Sequence, residues 1–331
     1  MKKRIVSLLL ASALAVMAIA GCGSKKEAAP QTEAQTEAAT QVADGKTYKI
    51  GVLQLVEHPA LDATNKGFVA ALDAAGIKYE IDQQNAQNDQ SACATIATKL
   101  VNDKDDLIFA IATPAAQAVA AETKDIPIIV SAVTDPADAG LVDKNDAPNT
   151  NVSGTSDLTP VKEQIELMKK LLPDTKTVGI LYCSAESNSE FQAKMAEEEI
   201  KANGMTPVNY TVSSSNEIQQ VVESMVGKVD CIYAPTDNTI AAGMTTVSMV
   251  ATENKIPVIC GEEGMVESGG LATYGIDYYQ LGYMAGEMAV KVLKGEDVSK
   301  MPIGYLSAEK CALSTNEEVA KKLGVDLSKA K

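Results

Sequence analysis

Residues 106–118 read DLIFAIATPAAQA, and residues 230–243 read DCIYAPTDNTIAAG. Each is a short run of strand-forming apolar residues that stops at a corner containing Thr and Pro and turns at once into helix-forming residues. After a further helix, the first leads into IPIIVSAVTD (126–135) and the second into IPVICGEEG (256–264), both beginning with Ile-Pro. Two strands of one half of the chain therefore have counterparts in the other half, in the same order. An echo of whole strand–helix–strand blocks, not of 30-residue units, predicts a molecule of two similar α/β lobes.

The same alternation extends on both sides of these segments. Strands are expected at 48–55, 78–83, 107–112, 127–133 and 151–154, and again at 177–183, 205–212, 229–234, 257–261 and 271–275. Helices are expected at 62–75, 90–101, 159–172, 190–203 and 217–226; in the third of these Val161, Ile165, Met168 and Leu172 recur at helical spacing, with Pro160 suited to the first turn. Short strands alternating with longer helices call for parallel sheets covered on both faces. The fold class is α/β, two doubly wound parallel-sheet lobes.

The chain begins MKKRIVSLLLASALAVMAIAGC, a basic start at Lys2, Lys3 and Arg4, an apolar stretch, and small residues ending at Cys22. Residues 1–21 read as a secretory signal that plays no part in the fold, and a cysteine directly after the cut resembles the lipobox of bacterial lipoproteins, which puts a lipid on Cys22. Residues 22–46 have no aromatic and almost no branched apolar side chain, too little to offset the entropy of ordering, and read as a tether. The formal charge of the whole chain is −15. Removing the signal takes away basic residues and no acidic one, so the exported surface is more acidic still. That excludes nucleic acid and a polybasic membrane-binding face. No second apolar stretch of about 20 residues follows, which leaves the lipid as the expected anchor.

Cys93, Cys183, Cys231, Cys260 and Cys311 are odd in number and none is close to another in sequence. Cys183, Cys231 and Cys260 sit inside strand-like apolar runs, where a reduced thiol behaves as a small hydrophobe. CxxC is absent and His58 is the only histidine, so no metal and no cofactor are expected.

In open parallel sheets ligands bind beyond the carboxyl ends of the strands, where the following helices present their N-termini. At the first corner Thr113 is placed to cap the helix, Pro114 to occupy its first position, and the N–H groups from Ala115 onward to point outward with the positive end of the dipole. Such a corner suits a small anion, although plain capping with nothing bound also accounts for Thr113. A diphosphate would need glycines along its length, and neither GxGxxG nor GxxxxGK[ST] occurs. The second corner carries Asp237 where the first offers donors; it can contact a ligand, cap the helix that begins near Thr239, or both. A zwitterion fits between the two. Ser131 and Thr134 are placed to complete the donors, while Asp135, before Pro136, reads as a turn residue. No nucleophile elbow and no HExxH helix accompanies His58, so it reads as a ligand-contacting or loop residue and not as a general base. Glu197, Glu198 and Glu199 read as the solvated face of a helix.

YKIGVLQLVEHPALD (48–62), DDLIFAIATPAAQA (105–118), AVTDPADAGLV (132–142), NVSGTSD (151–157), LYCSAESNS (181–189), APTDNTIAAG (234–243) and GGLATYGIDYYQLGYMAGEMAVKVLKG (269–295) together resemble the tryptophan/tyrosine-type substrate-binding lipoproteins of ABC importers. The resemblance covers nearly all of the chain after the tether. It implies the type I periplasmic-binding-protein fold, with three hinge crossings near 155–158, 276–278 and 302–305 and a helix 280–293 that belongs to lobe one. Lobe one then comprises 47–156 and 277–303, and lobe two 157–276 and 304–331. It also implies an aromatic amino acid as ligand. Gln54, Glu57 and His58 would line the first loop, and Thr113, Ala115, Ser131 and Thr134 would hold the carboxylate. Ser184, Glu186, Asp237, Asn238, Glu262 and Asp277 would face them. An aromatic platform would come from tyrosines such as Tyr182, Tyr233, Tyr274 or Tyr278. The implied partners are a permease and its ATPase, with the binding protein a monomer and not an enzyme. The same fold also serves branched or small amino acids, purine nucleosides and sugars, and exported enzymes or sensors; for the last two the sequence holds no catalytic constellation and no signalling module.

Overall fold

The computed structural model describes residues 45–307 and 311–330. The chain opens with β1 (Thr47–Gln54), α1 (Pro59–Ala74), β2 (Lys78–Asn85), α2 (Gln90–Asn102), β3 (Leu107–Ile111), α3 (Thr113–Glu122), β4 (Ile128–Val133) and β5 (Val152–Ser156). It continues through α4 (Val161–Leu171), β6 (Thr177–Cys183), α5 (Ser187–Ala202), β7 (Thr206–Val212), α6 (Ile218–Met225), β8 (Cys231–Ala234), α7 (Asn238–Ala242), α8 (Met244–Glu253), β9 (Val258–Cys260), α9 (Glu263–Glu267) and β10 (Ala272–Gly275). The long helix α10 (Tyr278–Leu293), β11 (Gly304–Tyr305), β12 (Ala312–Thr315) and α11 (Glu317–Leu323) complete it.

These strands form two six-stranded sheets, in the orders β11-β5-β4-β3-β1-β2 and β12-β10-β9-β8-β6-β7. The two orders correspond strand for strand, which is the structural form of the sequence echo. β3 (LIFAI) and β4 (IIVSAV) are buried at every position because helices cover both faces of the sheet, and their unbroken apolar runs fit that environment. β2 and β7 lie at sheet edges, and polar residues in KYEIDQQN and TPVNYTV are correspondingly exposed in part. Lobe one's core includes Phe68 of α1 stacked on Phe109 of β3, with ring centroids 3.8 Å apart.

The chain passes between the sheets three times. It leaves lobe one after β5 and returns after β10, so that α10 packs on α1. That packing needs glycine: a Cβ on Gly282 would lie 1.9 Å from the carbonyl oxygen of Thr64. The third passage differs from the expected one. Gly304 and Tyr305 pair with Thr155 and Ser156 in lobe one's sheet, so the boundary expected at 303/304 falls after Tyr305. β12 then joins lobe two's sheet beside β10 and runs antiparallel to it, with Ala312 opposite Gly275. Lobe two's sheet is therefore mixed at one edge, not wholly parallel. All five cysteines after Cys22 are free thiols, and Cys93, Cys183, Cys231 and Cys260 are buried. The signal at 1–21, Cys22 and all of the tether before residue 45 lie outside the described residues.

Candidate functional site

In each sheet the order reverses beside the first strand, between β1 and β3 in lobe one and between β6 and β8 in lobe two. The carboxyl ends of the strands at these switch points open a crevice, and a small cavity lies there. Lobe one lines it with His58 and Leu61 after β1 and with Ala132 and Thr134 at the end of β4. From lobe two come Asn188 of α5, the corner Thr236-Asp237-Asn238, Ala241 of α7, and Glu262 after β9. Asp157 and Tyr278, at the first and second passages, form the remaining wall.

Hydrogen bonds draw the lobes together around this space. His58 Nε2 lies 3.3 Å from Asn238 Oδ1, Gln192 Nε2 donates to Thr134 Oγ1 at 3.1 Å, and Asn88 Nδ2 donates to Thr239 Oγ1 at 2.9 Å. Gln90 Nε2 reaches the Ala185 carbonyl at 2.8 Å, and Gln117 Nε2 reaches Ser187 Oγ at 3.4 Å. Because Asn238 Nδ2 donates to Glu186 at 2.6 Å, its Oδ1 is the acceptor and His58 Nε2 the donor. His58 Nδ1 is then a bare acceptor, and it has no partner. Burial holds the imidazole down at about 4, against the opposing pulls of Asn238 and Asp62, so the ring is neutral near pH 7.

The carboxylates of the cavity are set by backbone. Asp237 Oδ1 accepts from the Ile240 N–H at 2.7 Å, capping α7, and Oδ2 accepts from the Cys183 N–H at 2.6 Å. Glu262 caps α9 through the N–H groups of Gly264 and Met265 at 2.6 and 2.8 Å. Burial raises Asp237, and the nearby charge of Glu186 raises it further. Burial also pushes Glu262 up to about 7, against its two backbone donors. Asp157 is raised to about 6 by burial, while the Tyr278 hydroxyl, 2.8 Å from Oδ2, and the Thr134 side chain pull it down; Oδ1 has no close donor. Asn188 donates through Nδ2 to the Thr236 carbonyl, and its Oδ1 is also without a partner. The cavity thus presents carboxylates and unmet acceptors, and among the described residues no lysine or arginine lines it. Arg4 is the chain's sole arginine. Such a lining suits a cationic group rich in N–H donors.

Of the residues expected at the site from sequence, His58, Thr134, Asp237, Asn238 and Glu262 come together around the cavity. The others lie elsewhere. Glu57 and Ser184 are exposed, and Asp277 is exposed and caps α10 through the Gln280 N–H. Gln54 is buried, with Nε2 on the Val56 carbonyl and on Asp62 Oδ1. Glu186 accepts from the backbone and side chains of both Asn238 and Thr239 and serves lobe two's corner. Ser131 is enclosed within the sheet beside Thr155, whose hydroxyl lies 2.8 Å from its own. Thr113 is not the cap expected of it. Ala112 occupies that position with a positive φ of 82°, so Thr113 is already helical, and its hydroxyl is buried without a partner. Ala115 is buried in the first turn of α3, outside the lining. Of the tyrosines, Tyr278 lines the cavity. Tyr233 is buried in lobe two with its hydroxyl on Gln164, Tyr274 reaches the Ala330 carbonyl, and Tyr182 lies on the Glu190 side of lobe two. Asp157, Asn188 and Thr236 escaped the sequence reading. Asp157 directly follows β5, so the strand-end rule applied to Thr113 and Asp237 singles it out as well.

The profile of the family described as ABC transporter substrate binding protein matches residues 49–330. The chain is a member of that family. This binding protein is 45% identical to the tyrosine-binding protein of Clostridioides difficile (strain R20291) over 326 residues, 97% of this chain and 92% of the relative. Among solved structures it resembles an ABC domain from Streptococcus pneumonia in complex with L-Trp: 42% identity, TM-score 0.83, 85% of this chain and 96% of that one. A substrate-binding protein with adhesive properties from Clostridium difficile, in a ligand-free, open structure, shares 50% identity with a TM-score of 0.64 over 84% of this chain and 95% of that one. The more similar sequence superposes less well, and it is the open structure; the lobes of this binding protein meet across the cleft.

Proposed function

We propose that this binding protein captures an aromatic amino acid outside the cell membrane and delivers it to an ABC permease whose ATPase supplies the energy. The observation that carries the reading is the lining itself: buried carboxylates and unmet acceptors on Asp157, His58 and Asn188, with no lysine or arginine among the described residues that line it. An α-ammonium brings one positive charge and three N–H donors to such a wall, whereas a sugar or nucleoside brings donors without the charge. The ligand's carboxylate would then be held by neutral donors, hydroxyls and backbone N–H groups. The tyrosine and L-Trp relatives favour an aromatic side chain, which Leu61, Ala132, Ala241 and Tyr278 would border. Export through the signal at 1–21, a lipid on Cys22, the tether and action as a monomer complete the proposal.

The test is a thermal-shift screen of protein freed of carried-over ligand by unfolding and refolding, against the twenty amino acids, nucleosides and common sugars. A ligand at a hundred times its dissociation constant adds about 2.7 kcal/mol, and L-tyrosine, L-tryptophan or L-phenylalanine is expected to raise the midpoint most. A shift with nucleosides or sugars alone overturns the amino-acid reading and leaves the fold standing.

A further inference from the structure

We propose that Asp157 is the carboxylate that takes the ligand's ammonium, and that it does so as part of the hinge. The inference rests on the amino-acid reading and assigns within it a residue that the lobes' own corners do not supply. Glu186, Asp237, Glu262 and Asp157 are all buried near the cleft, and their hydrogen bonds separate them. Both oxygens of Asp237 and both of Glu262 hold backbone N–H groups of lobe two. Both oxygens of Glu186 hold Asn238 and Thr239. Each of these carboxylates is engaged by its own lobe before any ligand arrives. Asp157 is only 5% exposed, lines the cavity and accepts from Tyr278 through Oδ2; the Thr134 hydroxyl also acts on its carboxyl, yet no backbone N–H of another residue holds it and Oδ1 keeps no close donor. A buried carboxylate oxygen without a donor is the costly case, and a ligand N–H supplies both the donor and the charge. Asn188 Oδ1 and His58 Nδ1 are acceptors of the same cavity for the remaining N–H groups.

The position of Asp157 adds a mechanical consequence. Its own N–H donates to the Val133 carbonyl at 3.1 Å, which ties the first passage to β4. Its partner Tyr278 begins α10 just after the second passage. The Asp157–Tyr278 bond therefore joins two of the three connections between the lobes at the wall of the cavity. A ligand bound to Asp157 is bound to the hinge and not to one lobe alone, so occupancy acts directly on the segments that must turn when the lobes close.

The experiment is calorimetric titration of wild type, Asp157→Asn and Tyr278→Phe with L-tyrosine and L-tryptophan and with their des-amino analogues, 3-(4-hydroxyphenyl)propionate and indole-3-propionate. Wild type is expected to prefer the amino acids strongly. Asp157→Asn should weaken them on the order of a hundredfold while changing the analogues little, so that the preference collapses, and Tyr278→Phe should lower it part of the way. A folded Asp157→Asn protein that keeps the wild-type ratio overturns the assignment. If that variant fails to fold, Tyr278→Phe decides by the same ratio, an unchanged value overturning the proposal. Wild type that binds neither amino acid overturns the amino-acid reading itself; wild type that binds them beside an Asn variant with an unaltered ratio overturns only the role of Asp157.

Discussion

At the residue scale, Glu186, Asp237, Glu262 and Asp157 share burial and differ in what holds them. Glu262 stands at about 7 and Asp157 at about 6 in the folded protein, against 4.5 and 3.8 for ordinary side chains, with burial the largest cause in both. An acid raised on folding binds its proton more tightly in the folded state. Its contribution to stability is fully present below about 4 and is lost as pH rises through the folded values near 6 and 7. The ligand-free protein is therefore expected to lose stability between pH 5 and 8, by up to roughly 3 kcal/mol from Glu262. Glu262→Gln should flatten that decline, and calorimetric midpoints of the two proteins across the range check it; a constant difference between them would show that Glu262 does not titrate there. The amino acid should bind more weakly at pH 5 than at pH 8, because its ammonium favours the ionised carboxyls. Asp237 reads from sequence as a ligand contact, a helix cap, or both. The structure gives it two backbone bonds within lobe two, so Asp237→Ala also strips a cap from α7.

At the element scale, the corners after β3 and β8 repeat in sequence but differ in build. Asp237 is a true N-cap, whereas α3 begins after Ala112 at positive φ. Periodicity reports that a strand gives way to a helix; it does not report the φ at the junction, and that angle decided whether Thr113 could cap. The contact of α10 with α1 is the other element-level device. Gly282→Ala would drive a methyl into the Thr64 carbonyl and force the helices apart. We expect a loss of about 1 to 3 kcal/mol, seen as a lowered urea midpoint. Helix propensity alone predicts a gain of about 1 kcal/mol for Gly→Ala, so the sign of the change discriminates.

At the scale of the whole molecule, two correspondingly ordered sheets face one another across a cleft, and the chain crosses between them three times. Among the described residues no helix is long and apolar enough to cross a membrane. The proposed anchor is the lipid on Cys22, and Cys22→Ser is expected to move the exported protein from the membrane fraction to the soluble one, with ligand binding unchanged. Retention at the membrane by the variant, seen on blotting the two fractions, would argue against the lipid as the sole anchor.

The sequence by itself determined the fold class, because strands buried on both faces must be unbroken apolar runs and the same runs recur in both halves. Residues just past strand ends face the crevice of a doubly wound sheet, which singles out Thr134 and Asp237 from the sequence, while Asn238 and Glu262 were implied by the family resemblance; all four line the cavity. Only the tertiary structure decided which carboxylates are already engaged. Glu186 and Asp237 are neighbours in space through backbone from β6 and β8, and Asp157 meets Tyr278 across 121 residues. Those partners depend on how the sheets are wound and where the passages lie. A local pattern of residues carries no record of a hydrogen bond made across more than a third of the chain.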